Sequence, residues 1–345
     1  MVAASAGVSV ATVSKVLNGR SDVAESTRTL VQEKLQQHNY VLSATSRAES
    51  GTRAIVEVQV EAALVAYSSE IVQGVIDAGS QLGIDIVVST RVGAAANLTS
   101  ERPAAWARAL ALTGRRAVIG VTSELTEERL AAMSRARVPY VVVDPLGMPL
   151  ARLTSVGSTN FAGGLTATQH LLSLGHRRIG YLGGPKTAAC NHAREHGFRA
   201  AMEGAGLDLL PEYVTTGAFS YETGVNTGGS MLDQAEPPTA IFAGSDEVAL
   251  GVIEAARIRG LNVPRDLSIV GFDDTQLAHM AAPPLTTVRQ PLREMGAVAL
   301  RTALRLAAGE TIESHHVELA TSLIVRGSTA PPRSTSGRGR SSRSR

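Results

Sequence analysis

The 345 residues include a single cysteine, Cys190, and a single tryptophan, Trp106. One thiol excludes an internal disulfide framework and any metal site built on several thiolates. No apolar run approaches the roughly 18 residues that span a bilayer. The N-terminus shows no positive segment leading into an apolar core, so no secretory signal is visible and the cytoplasm is the expected compartment. Signatures of chemistry are missing as well. LGGPK, around Gly183, lacks the full GxxxxGK[ST] spacing of a phosphate loop and reads as a strand-to-helix turn. His192, His196, His315 and His316 have no supporting set of cysteines and no HExxH arrangement, which argues against a metal centre. No GxSxG elbow supplies a hydrolase nucleophile. Neither a cofactor nor an enzymatic activity is expected.

What is present is the composition of a globular protein, 44% hydrophobic and 19% charged, in a chain long enough for two or three domains. The charge is unevenly spread. Residues 1–53 hold six basic and four acidic side chains, and the tail from Arg333 to Arg345 holds five arginines and no acid. With a whole-chain net of +2, residues 54–332 are left with about −5. A weakly basic head on an acidic body suits a protein whose head alone meets a polyanion. The tail, PPRSTSGRGRSSRSR, is of low complexity and expected to be disordered, as a solubilising overhang or a nonspecific attraction for DNA.

The head reads as three short helices. Val2 to Ala6 forms the end of one, and Gly7 supplies the turn that leaves it. Ser9 stands at the N-cap of a second, Val10 to Leu17, in which Val13, Val16 and Leu17 share a face. Ala11, Thr12, Ser14 and Lys15 fall mostly outside that stripe. Asn18-Gly19 ends the second helix, and a third runs from about Ala24 to His38 with Leu30, Val31 and Leu35 inward and Tyr40 closing the bundle. This is the helix-turn-helix pattern, and the slim start of the second helix fits a major groove about 12 Å wide. Small hydroxyls such as Ser9 and the helix N-terminus can donate to phosphates. A plain three-helix bundle with a solvated face carries the same spacing.

AGVSVATVSKVLNG, followed by TRTLV and NY, closely resembles the DNA-binding head of the lactose-repressor/galactose-repressor (LacI/GalR) family. The resemblance extends to about Ser328. It implies that Val10, Ala11 and Lys15 occupy base-reading positions, while Thr12, Ser14, Asn18, Thr27 and Tyr40 occupy positions that hold the DNA backbone. Lys15 suits a guanine edge; Val10 and Ala11 offer only apolar contact, for instance to a thymine methyl. Two departures stand out. Family heads carry several residues ahead of the position of Met1, which leads us to expect a start upstream of it. In the hinge, VLSATSRAESGTR places Leu42 and Ser43 where the family has Pro-Asn, and Glu49 where a Leu wedges into the minor groove. A carboxylate there is repelled by the groove's negative potential, so a weak central kink, or none, is expected.

From Ala54 the chain alternates apolar runs with helical patterns. Expected strands are 54–60, 85–90, 116–121, 140–144, 177–183, 238–244, 267–272 and a final 317–325, with helices such as 68–83 and 245–260 between them. Val/Ile-rich βα repeats imply α/β architecture, with parallel sheets covered on both faces by helices, and the length implies two subdomains with a cleft. Ligands in such sheets collect at the carboxyl ends of strands. Asp144, Ser245-Asp246 and Asp273-Asp274 sit at those ends, Arg194 lies in the helix after GYLGGP, and Gln290 follows PPLTTV. Each carboxylate alone also reads as a helix cap, Asp246 and Asp274 especially. An Arg flanked by carboxylates suits vicinal hydroxyls. Trp106 reads as packing, and the amphipathic PLREMGAVALRTALRLAAGE as a packed helix, with a dimer interface as one setting for it, rather than a membrane-surface helix.

GHRRI, the RxxGF of Arg194 to Phe198, SDEVALG, VGFDD and PPLTTVRQ are similar to LacI/GalR landmarks in their usual order. The resemblance implies a periplasmic-binding-protein-like (type I) core of two doubly wound parallel sheets. It implies that Asp144, Arg194, Ser245, Asp273 and Gln290 line an effector cleft, with Phe219 as a candidate stacking ring and Tyr67 a further candidate. Ser245 replaces a more usual Asn, and Leu292 stands where some relatives carry an aromatic. The implied organisation is a helix-turn-helix domain over 1–42, a hinge over 43–53, a core over 54–328 and a tail over 329–345. Within the core, subdomain one takes 54–156 with 288–314, and subdomain two takes 157–287 with 315–328. The expected function is that of a homodimeric regulator, in the main a repressor, that binds palindromic operator DNA and responds to a small molecule. A sugar is favoured as effector over a purine or nucleoside. A solute-binding protein, a sugar-processing enzyme and a regulator without specific DNA binding are the rival readings.

Overall fold

Repeated Val- and Ile-rich runs, each followed by an amphipathic helix, build two separate six-stranded sheets. The computed structural model describes residues 2–17, 23–37, 54–61, 63–90, 102–147 and 151–333. Ahead of the sheets lies a head of three helices, α1 (Val2–Ser5), α2 (Val10–Leu17) and α3 (Glu25–Gln37). Gly7, at φ +63°, turns the chain out of α1, and the Val8 amide closes that turn on the Ala3 carbonyl at 3.0 Å. Ala6, Val13, Val16 and Val31 form the small core of the head. Leu30, expected inside, is exposed, because the adjacent Val31 takes the inward phase of α3. Asn18, Tyr40 and the whole hinge, including Leu42, Ser43 and Glu49, lie outside the described residues, as do the side chains of Leu17 and Leu35.

The first lobe contains β1 (Ile55–Val60), α4 (Ala66–Leu82), β2 (Asp85–Thr90), α5 (Pro103–Leu112), β3 (Arg115–Val121), α6 (Glu127–Ala136), β4 (Tyr140–Val143) and β5 (Thr154–Ser158). The second contains α7 (Asn160–Ser173), β6 (Ile179–Gly183), α8 (Ala189–Gly204), β7 (Val214–Thr216) and α9 (residues 221–232, π-wound over Gly224–Gly228). It continues with β8 (Ala240–Ala243), α10 (Asp246–Ile258), β9 (Ser268–Asp273), α11 (Gln276–Met280) and β10 (Thr286–Arg289). The chain then returns to the first lobe for α12 (Leu292–Ala307) and β11 (His316–Leu319), and ends with β12 (Ser322–Ile324) in the second.

The sheets run β11-β5-β4-β3-β1-β2 and β12-β10-β9-β8-β6-β7. All pairs are parallel except β10 with β12. Each sheet is buried on both faces, which explains the near-continuous apolar strands. In the first lobe α4 and α12 cover one face, and α5 and α6 the other, where Trp106 packs 6.1 Å from Tyr140. In the second, α7 and α8 cover one face and α9 and α10 the opposite one.

The lobe boundaries differ from those expected. The run 317–325 is two strands in different sheets: β11 extends the first beside β5, and β12 pairs antiparallel with β10 in the second. Residues 316–319 therefore belong to the first lobe, 288–289 to the second, and 157–158 to the first. The break falls where Thr321 is held by Thr159, its amide donating to the Thr159 hydroxyl at 3.0 Å. The tail is tied down further than expected. His176 Nε2 lies 2.9 Å from the Ala330 carbonyl, and Arg333 pairs with Asp266 at 2.7 Å.

Candidate functional site

Between the lobes lies a cavity of about 260 Å³. Tyr67, in the first turn of α4, and Asp144, just past β4, reach it from the first lobe. Arg194 of α8, Phe219, Ser245 after β8 and Asp273 at the end of β9 reach it from the second. Asp144 at φ 48° and Asp273 at φ 117° adopt backbone conformations that L-residues rarely take. Such conformations cost of order 1–3 kcal/mol each and persist where the surroundings enforce them. Here the turn off the strand carries each carboxylate to the cleft.

Arg194 is placed by glycine. A Cβ on Gly164 would lie 2.3 Å from the Arg194 carbonyl, and one on Gly197 would lie 2.2 Å from the Phe161 carbonyl. Without side chains at these two positions α7 and α8 approach closely, and Arg194 is delivered to the start of α7. There its Nε donates to Asn160 Oδ1 at 2.8 Å, and one Nη donates to the Gly244 carbonyl at 2.5 Å. The guanidinium lies 3.8 Å from the Phe272 ring centre and 5.5 Å from that of Phe219. The same Nη is 3.8 Å from Asp273 Oδ1.

The acids are strongly perturbed. Burial raises the Asp144 carboxyl, opposed by a hydrogen bond from the Tyr67 hydroxyl and by the charge of Arg194. Burial pushes Asp273 well above the ordinary carboxylate range, Arg194 opposing and Asp246 adding to the rise. Asp246 is also raised by burial, although it accepts from the Thr275 amide at 2.8 Å, the Thr275 hydroxyl at 3.1 Å and the Thr287 hydroxyl at 2.6 Å. Phenol and thiol follow the same rule: burial and then Asp144 drive Tyr67 up, and burial lifts Cys190 to about 11.

Six of the seven residues expected at the cleft, all but Gln290, line this cavity. Gln290 stands behind it, donating to Asp273 Oδ1 at 2.7 Å and accepting from the Ser158 hydroxyl at 2.5 Å. It orients the acid where the chain passes between lobes. Ser245 has a second task, its Oγ accepting the Val248 amide at 3.2 Å as the N-cap of α10. Asp274 turns away from the cavity to pair with Arg289 at 2.6 Å and Arg326 at 2.5 Å. Leu292 is buried in the first-lobe core instead of reaching the cavity. Asn160, Glu247 and Thr275 were not singled out from the sequence. Asn160 is the first residue of an ordinary helix, and only the tertiary fold brings it to Arg194.

On the head, Ser9 Oγ accepts the Thr12 amide at 3.0 Å, capping α2, and lies 2.8 Å from the Thr12 hydroxyl. Val10, 77% exposed, presents an apolar side chain at the start of α2. Lys15, five residues further on, is exposed, while Thr12 and Thr27 are half-buried. Ala11 and Ser14 lie within α2, but their side chains, like Asn18 and Tyr40, fall outside the description.

A helix-turn-helix head joined to a two-lobed core, whose largely apolar cleft carries Arg194 and buried acids, has the architecture of a DNA-binding regulator of transcription. The family description "Bacterial regulatory proteins, lacI family" matches residues 2–43, and "Periplasmic binding protein-like domain" matches 168–329. The transcriptional regulator DegA of Bacillus subtilis is 34% identical over 96% of this chain and 97% of its own length. The solved structure of the transcriptional regulator CelR in complex with cellobiose is 34% identical, with a TM-score of 0.70 over 95% of this chain and 98% of its own. The lac repressor dimer bound to operator and the anti-inducer ONPF is 27% identical, with the same TM-score and coverage. The chain belongs to the LacI family of bacterial regulatory proteins.

Proposed function

We propose that this chain is a cytoplasmic repressor of genes for sugar uptake or catabolism, and that a saccharide in the interlobe cavity sets its affinity for a palindromic operator. The observation that carries this reading is Arg194 lining the interlobe cavity together with Asp144 from the opposite lobe and Asp273 at 3.8 Å. That set donates to some hydroxyls of a polyol and accepts from others. The cellobiose complex of CelR supports a sugar, and the operator-bound lac repressor dimer supports a dimer on two half-sites. Ser9, Val10, Ala11, Thr12, Ser14, Lys15, Asn18, Thr27 and Tyr40 make up the DNA-binding set, on a head over 1–42 joined by a hinge over 43–53. Tyr67, Asp144, Arg194, Phe219, Ser245 and Asp273 contact the effector, with Gln290 fixing Asp273.

In mechanism, the effector bridges the lobes and biases their closure, and in a dimer the resulting rotation changes the spacing of the heads. No described helix is long and apolar enough to cross a membrane, which accords with action on DNA. Selection of bound sequences from random duplex DNA, with and without a panel of sugars and purines, tests the reading. A palindrome whose recovery changes with a sugar supports it. Recovery without sequence preference sinks the regulator role, and a response confined to purines sinks the sugar.

A further inference from the structure

The cavity is unbalanced in charge. Four acids, Asp144, Asp246, Glu247 and Asp273, line it against one cation, Arg194, and with Asp273 holding its proton three carboxylates still outnumber that cation. Two of the Arg194 nitrogens already donate to Asn160 and Gly244. Three of the acids are answered by side-chain donors: Asp144 by Tyr67, Asp273 by Gln290, Asp246 by Thr275 and Thr287.

Glu247 differs. In the first turn of α10, half-buried, it lines the cavity with Ala66 of the opposite lobe and feels the charge of Glu222. Among the described residues no side chain donates to it. A phosphate or carboxylate entering the cleft would meet this negative field with Arg194 as the one lining cation to offset it, in surroundings that screen poorly. Hydroxyl and ammonium groups, in contrast, donate to the remaining carboxylate lone pairs.

We infer that the cavity rejects anions, so that its ligand is an uncharged or amine-bearing saccharide and not a sugar phosphate or sugar acid, and that Glu247 enforces this selectivity. The saccharide class rests on the function proposed above; the rejection of anions rests on the charges alone. Specificity of this kind is built from repulsion as much as attraction.

Cys190 lines the same cavity and is the chain's single cysteine, so its labelling reads the field inside without any effector. The full-length protein is treated at mildly alkaline pH with neutral, ammonium-bearing and sulfonate-bearing methanethiosulfonates. In each case the thiolate displaces methanesulfinate as the mixed disulfide forms. Rates are divided by those for a small free thiol. The cationic reagent is expected to be about tenfold or more faster than the anionic one. Glu247→Gln is expected to shrink that ratio several-fold while circular dichroism stays native. Equal normalised rates, a ratio untouched by Glu247→Gln, or failure of even the neutral reagent to reach Cys190 overturns the inference. A parallel thermal-shift panel sets neutral sugars beside their amino, phosphorylated and uronic counterparts. An anion that stabilises more than its neutral parent also overturns it. A preserved labelling ratio with no sugar response overturns the saccharide class while the anion rejection stands.

Discussion

Arg194 and Asn160 are joined by a 2.8 Å hydrogen bond across the α7–α8 contact, both side chains buried. Asn160→Ala leaves a buried guanidinium donor without its partner. Urea unfolding is expected to show a loss of about 2–3 kcal/mol. A change under about 0.5 kcal/mol, the level of ordinary surface substitutions, would mean that Arg194 is held by Gly244 and the Phe272 ring alone.

The same helix contact gives a second prediction. Gly197→Ala places a methyl 2.2 Å from the Phe161 carbonyl, so the helices must separate. Overpacking of this kind costs about 1–3 kcal/mol, and the variant should melt lower and bind its effector less well. A melting temperature equal to that of the unaltered protein would show that α7 and α8 can part freely.

Acid–base behaviour follows from the raised carboxyls. Between the ordinary aspartate value of 3.8 and the raised value of Asp273, the folded state holds a proton that the unfolded chain has shed. Stability from this group therefore falls as pH rises through that window. Glu57 and Asp266 act in the opposite sense. Burial raises Glu57, but bonds from Gln59, Ser89 and Arg115 outweigh it; Arg265 and the Asn262 amide lower Asp266. The informative quantity is thus the difference between Asp273→Asn and the unaltered protein, measured by melts at stepped pH. The variant is expected to gain relative stability toward neutral pH, and parallel profiles would show that Asp273 is not held protonated.

On the head, Ser9→Ala removes the cap of α2 and is expected to cost about 1 kcal/mol. Lys15→Ala should weaken binding to the selected operator by about 1–3 kcal/mol and relax preference at one base pair. If affinity drops equally for every sequence, Lys15 is a phosphate contact instead.

Glu49 supplies a prediction about DNA shape. Replacing it with Leu restores an apolar wedge at the hinge, and gel-bending assays should show a larger central kink. A strong kink already present with Glu49 would refute the expected repulsion.

Much of this architecture is legible in the sequence because it rests on local pattern. DIVVST and YVVVD announce strands, and Asp144, Ser245 and Asp273 can be placed at the cleft because each follows such a strand. β5 and β10 are harder to see, since TSVGS and TTVR are rich in hydroxyls and short of apolar residues. The split of 317–325 is invisible locally: strand-forming residues continue through Ala320-Thr321, and only pairing with β5 and β10 decides which sheet each half joins. Asn160 and Glu247 escape for a related reason, the residues they meet, Arg194 and the opposite lobe's lining, lying far away along the chain. Leu30 and Val31 differ by one position, and periodicity gives a helix face only to within one residue, so the buried member is not settled by spacing.

The chain passes from lobe to lobe three times, after Ser158, between Arg289 and Leu292, and between Leu319 and Ser322. These three tethers, two of them joined through Thr159 and Thr321, are the points where the chain must bend if the lobes move against each other. On the proposed function, a molecule seated in the cleft would reach the DNA-binding heads by way of those few crossing points, so their sequence matters more than their small number suggests.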